Sequence, residues 1–262
     1  MGRRGSFALT ILVLMLLACG LASPTGQTTQ PASVVATTTN SPVSASTPPA
    51  IPVSISTGLS SLSSYRMTLT IKSSGPDPSQ GMTVDVQLER SNNPDASHTH
   101  YDLSLQQKAG SEPQATNSDL YQIGDDTCSG ANDSWDFTHN SSQQAEMLEL
   151  VQNMIGLDPL IESPTFVAQE MVNGVPTNHF TFKVSGLGQK SGAQVDTDQG
   201  DYWLAVDGQY IVRYDLVLET SMAPNTSVMH EEISIDLDQI NQPVTITFPT
   251  ACQDQESATL TP

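Results

Sequence analysis

The sequence predicts a mainly β (α+β) domain, a curved antiparallel sheet covered by an amphipathic helix. Three observations predict it. Several segments alternate apolar and polar residues with period two, as strands do when one face meets a core and the other meets water. Two dipeptides, Asn173-Gly174 and Asp207-Gly208, stand between such segments at hairpin spacing. One segment with three- and four-residue apolar spacing separates an early block of strands from a late one.

The chain has 262 residues and a formal net charge of −19, with 9 Lys plus Arg against 28 Asp plus Glu. It therefore lacks the basic patch that nucleic acid demands, and no nucleic-acid partner is expected. The same balance argues against polybasic attachment to anionic lipid surfaces.

Residues 1–18 read as an export signal. Arg3 and Arg4 precede an apolar run from Phe7 to Ala18, too short for a bilayer span of about 20 residues. The run ends in Leu16-Leu17-Ala18-Cys19-Gly20, which resembles a bacterial lipoprotein signal. There, the Cys becomes residue one and carries a diacylglyceryl thioether with palmitate-type chains. Two or three chains, at roughly 0.8 kcal/mol per buried CH₂, anchor stably where one does not. An ordinary cleaved signal with an incidental Cys19 is the alternative. Lipidation of Cys19 implies a lipid anchor at the cell membrane, on its extracytoplasmic face.

Residues 19–59 read as a lipid-anchored, disordered tether. Of the 28 positions from Ser23 to Ala50, 17 are Ser, Thr or Pro, and no charge occurs from Gly5 to Ser64. Such a stretch cannot bury enough apolar surface to offset its ordering entropy. It reaches at most ~130–145 Å when stretched, and nearer ~35 Å when relaxed.

The folded domain is expected over 60–254, with a disordered tail at 255–262. Tyr65–Lys72, Met82–Arg90 and His98–Gln106 alternate in the first block. Ser141–Ile155 places Met147, Leu148, Val151, Met154 and Ile155 on one helical face, with Asn140 or Ser141 as a cap and Gly156 as a stop. The second block runs Pro164–Val172, Val175–Val184, Asp201–Val206, Gln209–Glu219, Val228–Leu237 and Val244–Phe248. That makes about nine or ten antiparallel strands. In the second block Phe180, Phe182, Tyr202, Leu204, Tyr210, Val212, Tyr214, Leu216 and Leu218 share inward parity.

Two cysteines remain after Cys19. In an exported domain Cys128 and Cys252 are expected to form a disulfide, which by loop entropy would contribute up to ~5 kcal/mol. Two free thiols, or a metal pair with a nearby His, are the alternatives.

Catalytic signatures are sparse. No Gly-x-Ser-x-Gly elbow or phosphate-binding glycine loop occurs, so no enzyme activity and no cofactor are expected. His98, His100 and Asp102 share one strand face and could ligate a metal, but a solvated outer face accounts for them. His230-Glu231-Glu232 lacks the second His of a zincin. Asp125-Asp126 and Asp196-x-Asp198 lack EF-hand spacing. His179 stands opposite Phe180 and Phe182 in parity, which suits a surface or structural role. Met147, Met154 and Met171 are unbranched and adaptable, so they suit an apolar site that repacks around a ligand. An ordinary core uses the same residues.

The stretch Val172-Asn-Gly-Val-Pro-Thr-Asn-His-Phe180, followed by Asp201-Tyr-Trp-Leu-Ala-Val-Asp-Gly-Gln209, resembles the central hairpins of LolA-like carriers, in particular LppX/LprG-type lipoproteins. The resemblance spans about Leu59 to Cys252. It implies a LolA-like half-barrel whose open side is crossed by helices and whose apolar cavity holds acyl chains, without an active site. This chain shows one good helix where such folds usually show more. The resemblance places in the cavity Met67, Leu69, Val84, Val86, Leu103, Phe180, Phe182, Tyr202, Leu204, Tyr214 and Leu216 from strands. From the helix it adds Met147, Leu148, Val151, Met154 and Ile155. The expected function is an anchored extracytoplasmic carrier or binder of lipid or another amphiphile. The alternative is a non-carrier sensor or interaction module that meets another envelope protein.

Overall fold

The computed structural model describes residues 57–77, 80–107, 110–131, 134–139, 162–183, 193–222 and 227–259. The signal, Cys19, the tether to residue 56 and the predicted helix with Met147, Leu148, Val151, Met154 and Ile155 lie outside the described residues.

The elements are β1 (Ser64–Ser74), β2 (Gly81–Asn92), β3 (Asp95–Gln106), β4 (Gln114–Ile123), β5 (Asp126–Ala131), β6 (Ser134–Thr138), β7 (Glu162–Val172), β8 (Val175–Lys183), β9 (Ala193–Ala205), β10 (Ile211–Met222), β11 (Ser227–Asp238) and α1 (Thr250–Thr259). All eleven strands form one antiparallel sheet in the order β6-β5-β4-β3-β2-β1-β11-β10-β9-β8-β7. Two meanders, β1–β6 and β7–β11, are thus joined by the single long-range pairing of β1 with β11, from Arg66↔Asp238 to Ser74↔His230. The edges β6 and β7 do not pair, so the sheet is open.

Period two sets the faces. Tyr65, Met67, Leu69 and Ile71 on β1 are buried, and register carries their parity across the sheet. We call this the inner face. The largest core cluster is built on it, with Val86, Leu88, Phe180, Tyr202, Tyr214, Leu216, Ile233 and Ile235 among its members.

The sheet curls. The Asn173 amide at the β7–β8 turn donates to Asp236 Oδ1 (3.1 Å) and Leu237 O (2.9 Å) on β11, although β9 and β10 lie between β8 and β11. Asn173 and Gly174 have φ of 51° and 81°, which the predicted type I′ turn requires. At the next hairpin the positive φ falls on Gly208 (92°) and Gln209 (53°), one residue later than Asp207-Gly208 predicts. Val206 N–H donates to Pro176 O of β8 at 3.0 Å, one residue past the last β8–β9 pair.

A second apolar cluster forms on the outer face at the β4–β6 end. Cys128 lies opposite Tyr121 and Phe137 in register, with the parity opposite to that of the inner-facing Leu120. Cys128, Phe248 and Cys252 are buried together, with Tyr121, Ile123, Trp135 and Phe137 packed on them. The Cys128–Cys252 disulfide is present. The chain reaches this cluster as an extended strap. Asn241 N–H donates to Ser64 O (2.8 Å), and residues 242–249 carry no sheet ladder. Val244–Phe248 is therefore not the predicted last strand. Its alternation reflects one-sided burial without pairing. At the chain's end, α1 runs to Thr259, where the sequence suggested a disordered tail from 255. Gln255 explains its order. The side-chain Nε2 donates to Trp135 O, and Oε1 accepts from Phe137 N–H, both at 3.1 Å. One amide thus satisfies the backbone of an edge strand that would otherwise be left open.

A candidate ligand-binding face

One row of residues shows how the inner face is assembled. Following the register from strand to strand gives Tyr101 (β3), Val86 (β2), Leu69 (β1), Ile235 (β11), Tyr214 (β10), Tyr202 (β9), Phe180 (β8) and Phe166 (β7). Eight side chains from eight strands thus make a continuous apolar band. A neighbouring row runs Leu103, Val84, Ile71, Ile233, Leu216, Gly200 and Phe182. Gly200 is required in it, because a Cβ there would overlap the Phe182 ring. Aromatic contacts concentrate on β8–β10: Phe180 stacks on Tyr202 with centroids 5.0 Å apart, and Phe182 lies 5.3 Å from Tyr214.

The structure brings Met67, Leu69, Val86, Phe180, Phe182, Tyr202, Leu204, Tyr214 and Leu216 into one buried cluster, with Val84 packed against it. Leu103 sits on the same face, half-buried, beside Val84. Sequence reasoning left out of its site residues Ile233, Ile235 and Leu237 of β11, and Tyr101 of β3. Their own period-two spacing was the signal that could have included them.

The band has limits. Beyond β3 the inner positions of β4, Leu120 apart, turn polar: Ser118 faces Tyr101, and Thr116 faces Leu103. A cleft of about 290 Å³ opens where the ends of β1, β2, β3 and β11 meet, but its lining mixes Lys72, Ser74, Thr83, His230 and Glu232 with Met82. It is too polar for a hydrocarbon chain.

Titratable groups sit mostly on the outer face. His98 and His100 both hydrogen-bond the Asp119 carboxylate at 2.8 Å, and His100 reaches Asp102 at 3.0 Å with its other nitrogen. The Asp119 hydrogen bond raises the His100 pKa, against the burial of the ring. Burial works against a charged Asp119, but hydrogen bonds from His98 and His100 outweigh it and hold the carboxyl low. His98 also stacks on Tyr121 (4.1 Å) and His179 on Trp203 (4.3 Å). His179 binds Asp201 at 2.8 Å and Glu170 at 3.1 Å. These histidines serve a packed ionic surface. Among the described residues no three His, Cys, Asp or Glu converge as metal ligands. On the inner side, burial raises the pKa of Glu231 of β11.

No family model matches the sequence, and no curated protein matches it. Solved structures do resemble its fold. LprF from Mycobacterium bovis aligns at 15% identity over 72% of this chain and 90% of that one, with a TM-score of 0.37. The Mycobacterium tuberculosis lipoprotein LppX aligns at 16% identity over 72% of this chain and 92% of that one, with a TM-score of 0.35.

Proposed function

We propose that the inner face receives a lipid or another amphiphile, and that the chain is a carrier or binder held by lipidated Cys19 at the extracytoplasmic face of the cell membrane. One observation supports the reading: in a single open, curled sheet, eight neighbouring strands, from β3 through β1 and β11 to β7, bear one continuous apolar face. A sheet with one apolar face needs a second layer. Among the described residues no second sheet supplies it, and α1 packs at the β6 edge, against the outer-face cluster. A barrel of about eight strands encloses only enough room for its own side chains or one small ligand, and wider ones enclose more. Burial of hydrocarbon against this face would favour binding by roughly 25 cal/mol per Å² before ordering costs. The predicted helix carrying Met147, Val151 and Met154 would close over the ligand, and the tether would let the domain approach and leave its membrane. The reading involves binding and release with no bond made or broken.

The test is native mass spectrometry of the full chain, exported, released from membranes in mild detergent and freed of it in the gas phase. A stoichiometric acyl-chain adduct is the expected result. An unliganded mass with no uptake of offered lipids would refute the carrier and favour an interaction module that meets another envelope protein.

A further inference from the structure

Tyr202 and Tyr214 stand opposite each other on β9 and β10, at 0% exposure each. Their rings are held by Phe180 and Phe182. Among the described residues neither hydroxyl has a hydrogen-bond partner. A buried hydroxyl without a partner is costly, and Phe would fill the same space without that cost. Two such hydroxyls, paired across adjacent strands in the middle of an apolar band, make a polar spot where the surrounding packing calls for none.

The charge around the spot is equally specific. Burial pushes the Tyr202 phenol up to about 12 and raises that of Tyr214, so both stay protonated as donors. Among the described residues, Arg66, Lys72 and Arg213 alternate away from the inner face, engaged with Glu89, Glu232 and Asp236, and Lys183, exposed at the end of β8, alternates away from it too. Arg90 has inner parity but is bound to Asp95 at 2.7 Å, near the end of β2. Among the described residues a carboxylate arriving at Tyr202 and Tyr214 would meet no free cation on the inner face, and would bear the cost of burying an unpaired charge. A neutral carbonyl would accept a hydrogen bond and satisfy a donor.

We propose that Tyr202 and Tyr214 form a polar subsite within the apolar face, which takes a neutral acceptor, the ester or amide carbonyl of an acylated lipid, in preference to a free carboxylate. The proposal rests on the lipid-binding reading above. It sets the depth of the ligand, whose linkage lies at the β9–β10 row while its chain spreads over the aliphatic residues of β1, β2 and β11.

The experiment measures binding of three single-chain probes to the full-length, delipidated protein: methyl oleate, oleyl methyl ether and oleate. Wild type should prefer the ester over the ether by about five- to thirtyfold, as one or two neutral hydrogen bonds give, and should bind oleate more weakly than the ester. The Tyr202→Phe/Tyr214→Phe variant keeps both rings, should melt no lower than wild type, and should bind ester and ether equally. Equal binding of ester and ether by wild type, an ester preference that survives the double substitution, or oleate binding as tight as the ester would overturn the subsite while leaving lipid binding intact. Binding of none of the three would remove the lipid reading and this proposal with it.

Discussion

Removing the Cys128–Cys252 bond separates the contribution of the outer-face seal from that of the inner core. The bond joins β5 to α1 across 124 residues of chain. Closing a loop of that length lowers the entropy of the unfolded chain by an amount equivalent to about 5 kcal/mol. Both cysteines are fully buried, so replacement by Ala also leaves two small voids, each costing on the order of 1 kcal/mol. Domain stabilities are typically about 5–15 kcal/mol, so the loss is a large share of the total. The assay is urea unfolding of Cys128→Ala/Cys252→Ala against the oxidised wild type. A fall of about 3–6 kcal/mol is expected, since disulfides often deliver less than the chain-entropy value. Hydrogen exchange adds a spatial readout. Amides of α1, β5 and β6 should lose protection first, while β1, β10 and β11, which carry the inner rows, keep theirs. A loss below about 1 kcal/mol, or early exchange in β1 and β11, would refute the assignment of the seal to the outer face.

Three further outcomes are expected. Gly200→Ala places a methyl group into the Phe182 ring, which packs against Tyr202 and Tyr214; overpacking should lower stability by about 1–3 kcal/mol in thermal melts, and an unchanged melting temperature would show that the ring can move. The His100 and Asp119 pair should confer a pH-dependent term. The raised His100 contributes stability below its ordinary value of 6.5, lost as pH rises through the folded pKa, and the lowered Asp119 contributes above 3.8, lost as pH falls. The difference in stability between wild type and Asp119→Asn should therefore be largest between pH 3.8 and 6.5 and fall on either side; a difference that stays the same from below that window to above it would contradict the assignment. Val151→Asp, on the predicted helix, should abolish lipid retention while the far-ultraviolet β signal survives, and global unfolding would place Val151 in solid core instead.

The hairpins were legible because their turn chemistry is local. Asn173-Gly174 supplies both positive φ angles, and the residues flanking it alternate. Most inner-face residues of β1, β2 and β8–β10 followed from period two: on β1, β2 and β8 polar residues flank them on either side, and on β9 and β10 the spacing holds although Trp203 and Val217 stand between inner positions. Strands β4–β6 were invisible for a stated reason: Gln114, Thr116 and Ser118 occupy inner positions, while Tyr121, Cys128, Trp135 and Phe137 point outward beneath the strap. Their apolar side is reversed and meets a segment over 100 residues distant, which no local pattern reports. The same non-locality misled the reading of Val244–Phe248. Its alternation is genuine, with Val244 and Ile246 half-buried and Phe248 buried, but the contact is a strap against the sheet end. The orphaned hydroxyls of Tyr202 and Tyr214 were unreadable from sequence, because the absence of a partner depends on every neighbouring strand.

The reversal of faces at β4 has a consequence for how the inner face is used. If β4–β6 had continued the inner apolar rows, their attachment to the sheet would have drawn on the surface offered to a ligand. Instead their hydrophobic contacts go to Phe248 and Cys252 on the outer side, the disulfide fixes them covalently, and Gln255 closes the β6 edge. The inner rows from β3 to β7 are left to one core, in which Phe180, Phe182, Tyr202 and Tyr214 gather on β8–β10 and the residues of β2 and β11 are aliphatic. On the proposed reading, ligand exchange needs a face that can loosen without loss of the fold. A sheet edge secured from the opposite side permits that, since opening the face at Leu69 and Ile235 would break neither the β1–β11 ladder nor the outer seal.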